Sequence, residues 1–269
     1  MDAKLSNKVV LVTGASGGIG GDLARAFVAE GARVVAHFSN QPRRAEELAH
    51  ELGDACVPFG ADLTLEAEVE RLFAEIEAGL GPVDVLIANA GYWPEESVPL
   101  HRMSLKRWND TLAVNLTSVF LCMREFLRGV ERHRLDDPAA VLVGSTAGLF
   151  GEAGHSDYAA AKAGLVHGLA KSLKNEIARV APRGRVNVVC PGWVATPLRP
   201  GMGDPEAARR VLQTVPLRKI ARPHDVATAC VYLASSHLSG HVSGQILTVS
   251  GGMEGRVLYR PDEIDPDRA

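Results

Sequence analysis

Lys8-Val9-Val10-Leu11-Val12-Thr13-Gly14-Ala15-Ser16-Gly17-Gly18-Ile19-Gly20 opens the regular structure of this chain. Lys8 to Val12 is a short apolar run of the kind that a strand buried on both faces requires. From Ile19 to Glu30 apolar residues recur at helical spacing. The turn between the two carries a spaced set of glycines, where a plain turn needs one. Gly14 permits a tight turn, Gly18 permits close approach of a pyrophosphate, and Gly20 lets helix and strand pack closely. The helix N-terminus adds free N–H groups and a favourable dipole. No Lys follows the glycines, so the turn is not a nucleoside-triphosphate loop.

The alternation continues beyond this unit. Strands are expected at Arg33–Phe38, Ala55–Phe59, Val83–Ala88, Ala140–Val143, Val186–Val189 and Gln245–Val249. Helices are expected at Arg43–Leu52, Leu65–Ala78, Leu105–Val130, Asp157–Val180 and Pro223–Ala234. Apolar strands joined by right-handed helical crossovers give an α/β fold, a Rossmann-type doubly wound parallel sheet flanked by helices on both faces. Residues 1–252 read as a single domain and 253–269 as a tail. Tyr92–Arg102 and Gly192–Pro216 break the pattern after strands. Ligands of such sheets sit beyond the carboxyl ends of the strands, so both segments are expected to line a pocket, residues 192–216 as a lid.

Composition excludes several classes. The 269 residues are 46% hydrophobic, enough for a sizeable core, and the net charge is −3. That balance leaves no electrostatic footprint for nucleic acid or an anionic membrane. No signal-peptide core or bilayer-spanning stretch is present, which points to the cytoplasm. Cys56, Cys122, Cys190 and Cys230 each sit in apolar runs and read as reduced, packed thiols. The nine histidines show no ligand spacing, so no metal is expected.

The second strand ends His37-Phe38-Ser39-Asn40, followed by Arg43 and Arg44. A carboxylate there would hold a ribose 2′-hydroxyl; its absence favours NADP over NAD, with Ser39, Asn40 and Arg43 as donors to the 2′-phosphate. NAD remains possible, since two arginines at a helix start are also ordinary solvated residues. Asp62 follows the third strand, placed to meet an adenine amino group or to cap the next helix in competition with Thr64.

Tyr158 and Lys162 stand four apart on one helix face. A phenol ordinarily titrates at about 10. A neighbouring ammonium stabilises phenolate and makes Tyr158 a general acid for a reduction, or a general base for an oxidation. Ser145 ends the preceding strand in Val143-Gly144-Ser145-Thr146-Ala147-Gly148, either to bond a substrate carbonyl or to cap a turn. It lacks the glycine–any–serine–any–glycine form of a hydrolase elbow. Asn115 is a poor interior helix residue on an apolar stripe, which implies a buried polar role or a satisfied core amide.

Taken in order, Gly14, Gly18, Gly20, Asp62, Asn89-Ala90-Gly91, Asn115, Ser145, Tyr158, Lys162, Pro191-Gly192, Thr196 and Ser243-Gly244-Gln245 resemble the motifs of the short-chain dehydrogenase/reductase family from about Lys8 to Gly252. The closest likeness is to 3-oxoacyl thioester reductases and related carbonyl reductases. The resemblance implies hydride transfer between a nicotinamide cofactor and a ketone or secondary alcohol. Tyr158 would exchange the proton, Lys162 would hold the nicotinamide ribose, Ser145 would polarise the carbonyl, and Asn115 would anchor a water leading to solvent. It adds Ser16, Ile19, Leu63, Asn89, Ala90, Gly91, Pro191, Gly192, Val194 and Thr196 to the cofactor's surroundings. It also implies a homotetramer built on the two long helices and the last strand. Two departures stand out: Ala88 replaces the first Asn of Asn-Asn-Ala-Gly, and Gly17 stands where many NADP enzymes of the family carry a basic residue. Tyr92, Trp93, Phe150, His155, Trp193 and Met202 are the expected substrate wall, with Arg199 available in the lid. Leu258 and Tyr259 would reach a neighbouring subunit. The competing reading is a catalytically silent dinucleotide sensor or scaffold on the same fold, which need not keep Ser145, Tyr158, Lys162 and Asn115 together.

Overall fold

Val9–Val12 (β1) is buried at all four positions, and the two faces of the strand enter different cores. Val10 and Val12 join one apolar cluster and Val9 and Leu11 the other, as the two-residue period of a strand dictates. The computed structural model describes residues 2–196, 209 and 211–255. Met202, Arg199, Leu258 and Tyr259, with most of the lid and tail, lie outside them.

Seven parallel strands form one sheet in the order β3-β2-β1-β4-β5-β6-β7. After β1 these are Arg33–Phe38 (β2), Cys56–Gly60 (β3), Val85–Ala88 (β4), Ala139–Val143 (β5), Arg185–Pro191 (β6) and Ile246–Val249 (β7). Pro58 lies in β3, an edge strand, where a missing N–H costs no ladder bond. Gly18–Ala29 (α1), Pro42–Leu52 (α2) and a helix at Pro223–Ala234 cover one face. Glu66–Leu80 (α3) and the two long helical segments cover the other. Phe27 and Phe126, both fully buried, are the largest side chains on the respective faces.

Each expected long helix contains a wide turn. The first runs as Leu105–Leu112 (α4), a π segment at Ala113–Thr117, and Ser118–His133 (α5). The second runs as Ser156–Ala163 (α7), a π segment at Gly164–Leu169, and Ala170–Val180 (α8). Between β5 and α7 lies a short helix absent from the sequence reading, Thr146–Phe150 (α6), capped by Ser145. The connection from β4 to α4 and the segment from β5 through α6 to α7 leave from the carboxyl edge of the sheet, where β1 and β6 also end.

Candidate active site

The glycine turn is closed by sterics and held from below. Gly14 has φ +67°, and a Cβ there would stand 3.0 Å from the Ala90 Cα. A Cβ on Gly20 would lie 2.7 Å from the Ala15 Cα and closer still to the Gly14 carbonyl oxygen. Helix α1 starts after Gly17 with no side-chain cap and no acidic residue in its first turn. Its leading N–H groups are therefore available to an anion, and no carboxylate repels one.

Two residues that the sequence reading passed over organise this turn. Thr13 is buried; its hydroxyl donates to the Ile87 carbonyl (3.3 Å) and accepts the N–H groups of Asn89 and Ala90 (2.9 Å each). Asn89 returns a bond from Nδ2 to the Thr13 carbonyl at 2.9 Å. His37, also buried, accepts the Gly14 N–H at Nδ1 (3.0 Å) and donates from Nε2 to the Ala61 carbonyl (3.0 Å). These partners fix the Nε2–H tautomer. Burial pushes the His37 pKa down to about 4, so the ring is neutral at working pH.

At the end of β2, Ser39 and Asn40 are exposed. Arg43 is exposed and lies 3.5 Å from Glu47 one helical turn on. Asp62 is exposed, and its Oδ1 accepts both the N–H (2.9 Å) and the hydroxyl (2.7 Å) of Thr64, closing a turn ahead of α3; the N-cap of that helix is Leu65, with no side-chain cap, so neither Asp62 nor Thr64 caps it. Leu63 is buried beside it, while Ser16 and Ile19 are half-buried in the turn. Across the sheet, the Gly192 N–H donates to the Val249 carbonyl. Val194 is buried in an isolated parallel bridge with Ala221, and Thr196 closes the described stretch.

The four polar residues of the chemical set come from three places: Asn115 from the first π segment, Ser145 from just past the end of β5, and Tyr158 and Lys162 from α7. Lys162 is buried on α7, donates to the Val143 carbonyl at 2.9 Å, and carries its Nζ 5.8 Å from the centre of the half-buried Tyr158 ring. Burial lowers the Lys162 pKa to about 8. Asn115 lies fully buried in the first π segment. Both of its amide protons are spent, on the carbonyls of Tyr92 (2.9 Å) and Thr111 (3.0 Å), and its Oδ1 accepts the Tyr92 N–H at 3.1 Å. The amide is thus the satisfied core group, with one acceptor site left on Oδ1. Gly91 sits over this pair: a Cβ on it would lie 2.9 Å from Asn115 Oδ1 and 3.3 Å from Lys162 Nζ. Ser145 Oγ accepts the Ala147 N–H at 3.1 Å, so the serine is a cap and still has a proton to give.

The expected substrate wall divides. Tyr92 and Phe150 are exposed, at 53% and 42%. Trp93 stacks on His155, with centroids 4.5 Å apart and planes 20° apart. His155 precedes α7 and is buried, not a surface residue of the helix start; its Nε2 donates to the Pro94 carbonyl at 2.9 Å. That proton is therefore committed to structure. Trp193 is half-buried, and its carbonyl accepts the Ala221 N–H.

A family model described as enoyl-(acyl carrier protein) reductase matches residues 14–254. Among curated proteins, 3-oxoacyl-(acyl-carrier-protein) reductase of Salmonella typhimurium is 37% identical over 247 residues, 91% of this chain and 97% of the relative. The Escherichia coli protein of the same description is 36% identical over 247 residues, with the same coverage. Nodulation protein G of Rhizobium meliloti is 38% identical over 250 residues, 93% of this chain and 98% of that protein. Among the described residues no helix is long and apolar enough to cross a membrane.

Proposed function

This chain belongs to the short-chain dehydrogenase/reductase family and is an oxidoreductase acting on a CH–OH group or the corresponding ketone; on that premise we propose that it reduces 3-oxoacyl thioesters with NADPH, using Tyr158 as the acid. The observation that carries the reading is the buried Lys162 ammonium beneath the Tyr158 ring at the carboxyl edge of the sheet. The cradle suits a dinucleotide: Gly14 and Gly20 leave no room for side chains, and the first turn of α1 is uncapped and free of acid. Gly14, Ser16, Gly18, Ile19 and Gly20 hold the pyrophosphate side. Asp62 and Leu63 flank the adenine, and Ser39, Asn40 and Arg43 meet the 2′-phosphate. Asn89, Ala90, Gly91, Pro191, Gly192, Val194 and Thr196 enclose the nicotinamide end. When bound, the cofactor supplies hydride to the carbonyl carbon.

The chain's own residues handle the oxygen. Ser145 and Tyr158 are both O–H donors, suited to a carbonyl oxygen that is becoming an alkoxide. Enoyl reduction also passes through an oxyanion, the thioester enolate, and it is the curated relatives described as 3-oxoacyl-(acyl-carrier-protein) reductases that favour the 3-oxoacyl substrate. Tyr158 gives up its proton, and the Lys162 ammonium stabilises the phenolate that results. The remaining acceptor site on Asn115 Oδ1 holds a water that returns a proton by way of Lys162. Trp93, Phe150, His155 and Trp193 shape the substrate side. The protein works in the cytoplasm as a homotetramer, pairing the long helices, where Phe120 of α5 is exposed, and the edge strand β7, where Leu247 is exposed.

The test is NADPH consumption with a 3-oxoacyl thioester, an enoyl thioester and a simple ketone, comparing wild type with Tyr158→Phe. The 3-oxoacyl substrate should turn over fastest. The variant should lose at least a thousandfold in kcat yet bind NADPH within twofold of wild type. Inactivity of wild type toward all three would favour the sensor reading. For the cofactor, NADPH should bind more tightly than NADH, and Arg43→Ala should narrow the gap; tighter NADH binding unaffected by the substitution would overturn NADP.

A further inference from the structure

Asp157, next to Tyr158, is fully buried and anionic. Its Oδ2 accepts from Arg107 Nε at 3.0 Å and from the Thr111 hydroxyl at 2.9 Å, both on α4. These bonds, with the Arg107 charge, hold its carboxyl below the usual carboxylate range against the cost of burial. A buried ion pair is a geometric constraint first and a stabilising contact second.

Arg107 spends its remaining donors elsewhere. One amino group donates to the Glu96 carbonyl at 2.8 Å and the other reaches the Gly154 carbonyl at 3.4 Å. The Val98 N–H donates to the same Gly154 oxygen at 2.8 Å, and His155 bonds Pro94 and stacks on Trp93. One guanidinium therefore spans the loop after β4, the turn before α7 and the carboxylate in the first turn of α7. Lysine, a point charge with no planar fork, cannot meet all three.

The geometry points to Arg107 and Asp157 as positioning residues that keep the substrate-side loop 92–98 in register with the Tyr158 hydroxyl. Neither belongs to the cofactor cradle. Their loss displaces the acid relative to the bound carbonyl, and an error of about 1 Å in such a contact costs on the order of a hundredfold in rate. The inference rests on Tyr158 being the proton donor.

The experiment compares wild type, Arg107→Lys, the double variant Arg107→Met/Asp157→Asn, and Tyr158→Phe in NADPH-dependent ketone reduction, with NADPH Kd measured alongside. The double variant removes both charges together and so avoids leaving one buried and unpaired. We expect its kcat to fall at least tenfold, Arg107→Lys to recover part of that loss, and NADPH Kd to stay within twofold in both. A double variant that binds NADPH normally and retains kcat within twofold overturns the inference. Should the double variant fail to fold, Arg107→Lys decides alone: a kcat reduced severalfold with unchanged NADPH Kd supports the inference, and an unchanged kcat refutes it. If Tyr158→Phe retains full turnover, the proton-donor reading has failed instead, which separates the two failures.

Discussion

Replacing Lys162 by Met should make the protein more stable at neutral pH while it destroys turnover. Burial lowers the Lys162 pKa from an ordinary 10.5 to about 8. Below the folded value the lysine is charged in both states, and the native state carries the full penalty, about 3 kcal/mol. Between 8 and 10.5 the unfolded chain binds the proton and the native protein does not, so stability rises with pH across that window. The bond to the Val143 carbonyl, lost in the variant, offsets roughly 1 kcal/mol of the gain. Urea unfolding of apo-protein at matched concentration should therefore show Lys162→Met more stable by about 2 kcal/mol at pH 7. The advantage should shrink by about 1 kcal/mol at pH 9 and vanish or reverse near pH 10.5. Taking the difference between variant and wild type cancels the titrating groups remote from Lys162, and Cys190→Ala in both backgrounds removes the thiol that faces it. A Lys162→Met protein less stable than wild type at pH 7, or a difference that does not move with pH, would refute the claim that this ammonium is held in the core at a cost that catalysis requires.

Two further outcomes follow from the glycine turn. His37→Leu strips the Gly14 N–H of its acceptor and the Ala61 carbonyl of its donor; at roughly 1–3 kcal/mol per orphaned group, urea unfolding should show a loss of about 2–6 kcal/mol, and fluorescence titration a weakening of NADPH of about tenfold. Since the native His37 titrates near 4 and an unfolded histidine near 6.5, wild type should also lose stability as pH falls through that interval, and the variant should lose less. Gly20→Ala drives a methyl into the Gly14 carbonyl and the Ala15 backbone; NADPH Kd should rise by about a hundredfold, near 2.7 kcal/mol, in a protein that remains folded by circular dichroism.

The strands were legible because β1, β4 and β5 are buried on both faces, which leaves unbroken apolar runs, and because β6 keeps an apolar run around the buried Asn187. The helices were legible from their amphipathic period, and the glycine turn from its context. Asn115 announced itself as a misfit in a helix, and the wide turn around it is the physical reason. Gly164 and Gly168 gave no comparable sign of the second one. Helix α6 was missed because Ser145-Thr146-Ala147-Gly148 reads as a turn, and only its docking against α7, where a Cβ on Gly148 would meet the Lys162 backbone at 2.7 Å, makes it a helix. The roles of Thr13 and His37 were hidden for another reason. A search of the β2 end for a carboxylate looks past a histidine one position inside the strand, though a lone imidazole in an otherwise apolar buried run is itself a signal that a hydrogen bond must be found. Asp157 reads as an ordinary acid in a first helical turn; its burial depends on an arginine 50 residues away, which no local pattern carries.

The paired wide turns, Ala113–Thr117 and Gly164–Leu169, each absorb a residue that a straight α-helix would not contain. Deleting one residue within Gly164–Leu169 would let that helix regularise while its flanks keep nearly the same facing, since the wide turn is what takes up the extra residue. In a straight helix the same deletion would swing one half by about 100° against the other. The half bearing Tyr158 and Lys162 and the half anchored to the sheet by Leu173 and Ile177 are thus insulated from a one-codon loss at this point and exposed to it elsewhere along the helix.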